Sequence, residues 1–208
     1  MLDYNRTFVY YRIRIFTGGM TAMRFKDEDK RQRIKDALVR LILRDGIDGV
    51  SVSKIAREAG VSPATIYVYY DSKEEMLAEV FREYSRRPYQ YLMHLVRPEM
   101  SGYELIDTIV RGWYSFSTEY EDVFSFVEQC SRCPSLSDQV SEQDNSYDIF
   151  DVIRSYQNRG IMRRCDDWNM GAMLFAPVRF LAVNRAADPA ADTQLDELIR
   201  MLQTMLLL

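Results

Sequence analysis

From Lys26 onward, apolar positions recur with the 3.6-residue period of a helix, and no segment shows the two-residue alternation of a strand. Ile34, Ala37, Leu38, Leu41 and Ile42 form one stripe of an amphipathic helix, which Gly46 and Gly49 end. Ser51 is placed to cap a short second helix, Val52 to Ala59. Gly60-Val61-Ser62 reads as a turn, and a third helix is expected from about Pro63 to Tyr70. Proline suits the first position there, because that N–H has no intrahelical partner. Ser72-Lys-Glu-Glu75 has the spacing of a capping box and opens a fourth helix carrying Met76, Leu77, Val80, Phe81 and Tyr84. Pro88 should kink or end that helix. Further helices are expected at about 89–96, 102–118, 121–131, 135–159, 167–187 and 192–207, with Pro177 kinking the helix that holds it. The fold class is therefore all-α, about nine helices in all.

The segment SVSKIAREAGVSPATIYVYY, residues 51–70, has the internal logic of a helix-turn-helix. Val52, Ile55, Ala56, Val61, Ile66 and Tyr70 form its inner set. Small Ala56 and Ala59 let the helices approach, and Gly60 supplies the turn. At 100° per residue, Ala64, Thr65 and Val68 lie opposite Ile66 and Tyr70, with Tyr67 and Tyr69 on the flanks. A small, mixed surface of this kind can enter a major groove about 12 Å wide. The second helix of such a pair reads base edges while the first crosses the backbone.

Charge changes this picture only a little. The 208-residue chain carries a net charge of −4. Residues 24–75 hold 11 Lys/Arg against 10 Asp/Glu and all five lysines, whereas residues 76–208 hold 13 against 20. A phosphate-facing module on an acidic body has this distribution. Hydrophobic residues at 47% and charged residues at 28% suit a globular protein, and no apolar run is long enough to span a bilayer. Three cysteines do not suggest a disulfide-stapled secreted fold, and no secretory signal pattern opens the chain, so a cytoplasmic location is expected. Cys130-Ser-Arg-Cys133 with Cys165 and His94 would fill a Cys₃His zinc set, but no second paired motif accompanies it. Unreactive thiols are the expectation, with no metal and no cofactor. One histidine and no nucleophile–base motif leave no basis for an enzyme.

The run IAREAGVSPATIYVYYDSKEEML resembles the tetracycline-repressor (TetR) family pattern: I-A-x-x-A-G-V-S, then T-[IL]-Y, an aromatic pair, and S-K-E-x-[LM]-L. The resemblance covers residues 30–80. Tyr69-Tyr70 stands where His-Phe is usual, and Lys54 replaces a frequent acidic residue. The resemblance implies a three-helix DNA-binding domain at residues 24–75 and a helical ligand-binding and dimerisation domain at residues 76–208. Residues 1–23, whose β-branched and aromatic run from Phe8 to Phe16 is unlike the rest, read as an N-terminal extension. Residues 1–23 could be a strand, a basic arm with Arg6, Arg12 and Arg14, or a stretch preceding a true start at Met20 or Met23; no function is attached to them. By position, the resemblance implies that Pro63, Ala64, Thr65 and Val68 approach base edges or the sugar-phosphate wall. Tyr67 and Tyr69 would offer hydroxyls to phosphates, and Ser51, Lys54 and Lys73 would add contacts at or near the backbone.

The implied function is a DNA-binding transcriptional regulator, a ligand-responsive repressor binding a palindromic operator as a homodimer. The alternative is a helical ligand- or partner-binding protein whose helix-turn-helix no longer reads DNA. In the 167–187 helix, Met170, Met173, Leu174, Pro177, Val178 and Leu181 form one apolar stripe, and Ala172, Phe175, Ala176, Phe180 and Val183 a second. Leu195, Leu198, Ile199, Leu202, Met205 and Leu206 form another in the 192–207 helix. A helix that is apolar on two sides needs two partners, so these two helices are expected to form the homodimer contact. Aromatic residues crowd the middle helices. Trp113, Tyr114, Phe116, Phe124, Tyr147 and Phe150 are the candidates for lining a pocket for a flat or hydrophobic effector.

Overall fold

The computed structural model describes residues 22–136, 148–185 and 188–208. Its elements are α1 (Ala22–Asp45), α2 (Val52–Ala59), α3 (Pro63–Ile66), α4 (Lys73–Leu95), α5 (Gly102–Glu119), α6 (Glu121–Ser131), α7 (Asp148–Asn158), α8 (Asp167–Arg185) and α9 (Ala191–Leu206). Among the described residues there is no strand; Met162 and Leu207 form an isolated antiparallel bridge. No helix among them is long and apolar enough to cross a membrane. Residues 1–21, including the three arginines of the candidate arm, lie outside the described residues, as does Tyr147.

Three caps set the starts of helices as their sequences require. Ser51 accepts the N–H of Lys54, Ser62 that of Thr65, and Ser72 that of Glu75. The Glu75 carboxylate reaches back to the N–H of Asp71, one residue before the cap, at 2.6 Å. A full capping box closes on Ser101 and Glu104 at the start of α5, which the sequence reading did not single out.

Two expectations about α3 and α4 are corrected. Helix α4 does not stop at Pro88; it runs through it to Leu95, so the separate 89–96 helix is its second half. Pro88 removes one N–H, but Pro88 and Leu92 are both buried, Leu92 against Gly112 of α5, and packing of this kind sustains a helix through a missing bond. Helix α3 is shorter than expected. After Ile66 the bonds tighten, with the N–H of Val68 on the Thr65 carbonyl and that of Tyr69 on the Ile66 carbonyl. Aromatic and β-branched side chains sustain an isolated helical turn poorly, and the tighter winding lets Tyr70 enter the core. Pro177 likewise sits inside α8.

Two apolar cores organise the chain. The first gathers α1, α2, α3 and the start of α4 around Ile34, Leu38, Ile55, Ile66, Tyr70 and Met76. The second gathers the rest of α4 with α5, α7, α8 and α9. Helix α6 belongs to both, since Phe126 and Cys130 enter the first core and Phe124 the second. With α4, it is a physical link between the two.

Polar contacts between α1 and α4 brace the first core. Arg31 pairs with Glu79 at 2.5 Å, and Lys35, nearly buried, pairs with Glu83, which Arg87 also meets at 2.9 Å. Burial pushes the Glu83 carboxyl up, but Lys35 and Arg87 together outweigh it and hold it below the usual glutamate range. A carboxyl with a depressed folded-state pKa contributes its stability above the unfolded value and loses it as pH falls through the folded one. Acidification below the ordinary glutamate value of about 4.3 should therefore erode stability through this group. Lys35→Met should lower stability at neutral pH by about 1–2 kcal/mol, discounted for the partial exposure of Glu83, and flatten the acid-side fall. Urea unfolding across a pH series checks both.

Candidate functional site

The helix-turn-helix is built around residues that vanish from the surface. Ile55, Ala56, Ala59, Ile66 and Tyr70 are buried, while Val52 and Val61 are half-buried against the same core. Gly60 makes the turn between α2 and α3 in the left-handed region, φ +66°. Its N–H reaches Arg57, and the N–H of Val61 reaches back to Ala56 at 2.9 Å, satisfying the last carbonyls of α2. A Cβ on Gly60 would have room, so the cost of substitution is conformational. Gly60→Ala is expected to destabilise the fold by about 1–2 kcal/mol, read as a lowered thermal midpoint.

What remains outside is the candidate reading surface. Ser62 and Pro63 stand exposed at the start of α3, and Ser62 is a capping residue that the sequence reading treated only as turn. The signal for it was serine directly before a proline at the first helical position. Ala64 is exposed, Thr65 is half-buried with its hydroxyl 2.9 Å from that of Ser62, and Tyr67 and Val68 are 56% and 77% exposed. Pro63, Ala64, Tyr67 and Val68 therefore share one solvent-facing surface, with Thr65 at its margin.

The flanking candidates are held by protein partners. Tyr69 is half-buried, and its hydroxyl donates to the Asp27 carboxylate of α1. Burial and that carboxylate push the phenol up to about 12. Lys54 donates to the Gly49 carbonyl at 2.7 Å and meets Asp45 at 3.4 Å, closing the α1–α2 turn. Lys73 donates to the Val50 carbonyl at 3.3 Å. An ammonium has three donors, so each lysine is positioned while keeping capacity for an anion. Ser51 is exposed at the start of α2, its hydroxyl turned to the Lys54 N–H.

The aromatic candidates separate into two groups. Phe116 belongs to one, with Tyr91 and Tyr120. Trp113, Phe124 and Phe150 belong to the other, which gains Tyr89 and Phe175. Tyr114 is half-buried beside this second core. Phe175 was expected on the outer stripe of α8; it is buried, its ring 4.2 Å from that of Trp113. Tyr89 was missed because it follows Pro88, where α4 was expected to break. The rest of the outer stripe stays outside: Ala172, Ala176, Phe180 and Val183 on α8, joined by Met201 and Met205 on α9. Leu195, Ile199, Leu202 and Leu206 turn inward.

The cysteines do not gather with His94. Cys130 is buried, and burial pushes its thiol up to about 12. Cys133 lies 3.3 Å from the Ser135 hydroxyl, Cys165 lies beside Gln157, and His94 contacts the Gln90 carbonyl.

Residues 34–80 match the family model for bacterial regulatory proteins of the tetR family. An HTH-type transcriptional regulator of Haemophilus influenzae is 25% identical over 171 residues, covering 80% of this chain and 86% of its own length. Among solved structures, a TetR family transcription regulator from Marinobacter aquaeolei VT8 superposes with a TM-score of 0.78 at 20% identity, over 88% of this chain and 98% of that one. The transcriptional regulator FadR of Bacillus subtilis, solved in complex with stearoyl-CoA, has a TM-score of 0.67 at 20% identity, over 83% and 97%. The order and spacing of the module, its capped and exposed reading turn, and these likenesses agree. Over residues 34–80 the chain is similar to TetR-family helix-turn-helix transcriptional regulators, and it shares the fold of solved members along most of its length.

Proposed function

We propose that the protein is a homodimeric, ligand-responsive repressor that binds a palindromic operator through α2 and α3 of each protomer. The observation that carries the DNA-reading part is the solvent-facing set Pro63, Ala64, Tyr67 and Val68 on a turn whose other side is fully buried. Large apolar side chains exposed beside a buried core mark a contact surface. In this reading Pro63, Ala64, Thr65 and Val68 approach base edges, and Tyr67 offers its hydroxyl to a phosphate. Ser51, Lys54 and Lys73 add backbone contacts, because helix N-termini and ammonium groups favour anions. Tyr69 joins them only by exchanging Asp27 for a phosphate.

The dimer reading rests on Phe180, Val183, Met201 and Met205, which are 46–64% exposed on two adjacent helices. Pairing α8 and α9 with their symmetry mates would bury them in a four-helix bundle and set two reading turns about 34 Å apart, one DNA turn. Effector binding among the aromatic residues of the body would act on α4 and α6, the two helices that enter both cores. A coupling of about 1–3 kcal/mol between effector and operator is the expected size. A footprint on the DNA upstream of the protein's own gene tests the reading. Protection of a symmetric site supports it, and no specific protection at low salt at any concentration overturns it in favour of a partner-binding role.

A further inference from the structure

The segment from Ser62 to Val68 reads SPATIYV and holds no arginine, lysine, asparagine, glutamine or acidic residue. Those side chains are the ones that read base edges by hydrogen bonds: Arg or Lys for guanine, Asn or Gln for adenine, Asp or Glu for cytosine. Two of the three hydroxyls in the segment are engaged within the turn. Ser62 accepts the Thr65 N–H at 3.2 Å, and the two side-chain oxygens meet at 2.9 Å. The third belongs to Tyr67. What otherwise stands outward is hydrocarbon: Val68 is 77% exposed, and Pro63 and Ala64 are exposed with it. Ile66, the remaining apolar side chain, is buried in the first core. Of the groups that the four bases display in the major groove, the 5-methyl of thymine is the apolar one.

We infer that Ala64 and Val68 determine the specificity of the reading turn, and that they select thymine by covering its 5-methyl group in each operator half-site. This rests on the DNA-reading part of the proposed function and names the base that the turn recognises. Ala64 and Val68 are four residues apart, one helical turn. At a rise of about 1.5 Å per residue they stand roughly 6 Å apart along the segment, against about 3.4 Å per base step. The two thymines therefore belong within about two steps of each other. Recognition of this kind differs from a polar readout in one respect. It responds to the methyl group and is indifferent to whether the base carries a carbonyl or an amino group beside it, because Ala64 and Val68 can bond to neither. Lys54 and Lys73, on α2 and α4, can add charge toward phosphates but no sequence information.

The test takes the full chain and a pool of randomised duplexes, from which bound sequences are enriched by repeated capture. Each thymine of the enriched site is then replaced singly by deoxyuridine, which pairs identically and lacks only the 5-methyl. Two thymines per half-site, within about two base steps, should each lose about fourfold in affinity on this exchange, the effect of returning one methyl-sized group to water. The salt slope should not change, since no phosphate contact is lost. At the same positions a cytosine–guanine pair should bind about fourfold more weakly, and a 5-methylcytosine–guanine pair should recover affinity to within about twofold. Val68→Ala should bring the thymine–deoxyuridine ratio at one of the two positions below about twofold. Val68 is so exposed that the core should tolerate this change, and the exchange on the unaltered chain needs no variant. Indifference of the enriched site to deoxyuridine, a 5-methylcytosine pair no better than cytosine, or a methyl preference that survives in Val68→Ala would each overturn the inference while leaving the DNA-reading function standing. A pool that enriches no sequence would remove that function, and the thymine reading with it.

Discussion

Thr65→Ala combined with Tyr67→Ala should lower operator affinity by about a hundredfold while leaving the fold intact. Each contact to a base edge or phosphate of this type is worth roughly 1–3 kcal/mol, and two lost together give a factor of this size. The fold should tolerate the change. Tyr67 is more than half exposed, and the Thr65 backbone N–H keeps its bond to Ser62 whatever the side chain. Salt dependence adds a second readout. Neither side chain carries a charge, so the slope of log affinity against log salt should stay unchanged in the double variant. Lys73→Met should instead weaken binding across all sequences and reduce that slope by about one unit. Fluorescence anisotropy with operator and scrambled DNA at several salt concentrations distinguishes these outcomes. Unchanged operator affinity in the double variant would remove α3 from the reading surface.

Phe180→Glu combined with Met201→Glu should convert the protein to a monomer at micromolar concentration and abolish tight operator binding. Both residues are more than 60% exposed in the protomer, and a two-fold interface would bury each of them twice. Removing a buried Phe or Met forfeits roughly 1.5–3 kcal/mol per copy, before the cost of burying carboxylates is added. Four lost copies exceed about 6 kcal/mol, more than a ten-thousandfold change in dissociation constant. The protomer core should not notice, since Leu174, Val178, Ile199 and Leu202 are the residues of α8 and α9 that fill it. Sedimentation equilibrium with thermal unfolding checks both halves. A variant that stays dimeric with unchanged affinity would move the interface elsewhere on the molecule.

Local rules and tertiary packing divided the determination of this protein in an intelligible way. Residues whose role depends on neighbours within one turn were legible in the chain. Ser51 and Ser72 as caps, Gly60 as the left-handed turn, Pro63 at a helix start, and the bounds of α2 and α6 all follow from backbone hydrogen bonding and φ limits. So does the helix-turn-helix, because its inner and outer residues are set by helical period over two short elements. Where several helices converge, the chain alone was a poor guide. Proline at position 88 signals a break by its missing N–H, yet burial of Pro88 and Leu92 kept α4 whole and brought Tyr89 onto Trp113. Phe175 lies on the edge of its outer stripe, and only packing decided that its ring turned inward. Tyr69 looked like a free phosphate donor until α1 placed Asp27 against its hydroxyl. The indole N–H of Trp113, buried without an acceptor among the described residues, is invisible in sequence for the same reason. Hydrogen-bond satisfaction is a property of the atoms that arrive from elsewhere in the chain, and those arrivals are decided by the closing of the core. The sequence by itself determined the helix-turn-helix and its outward-facing turn, because both follow from local helical period and caps; the tertiary structure decided which donors and apolar faces were left unmet, because those depend on how distant segments pack.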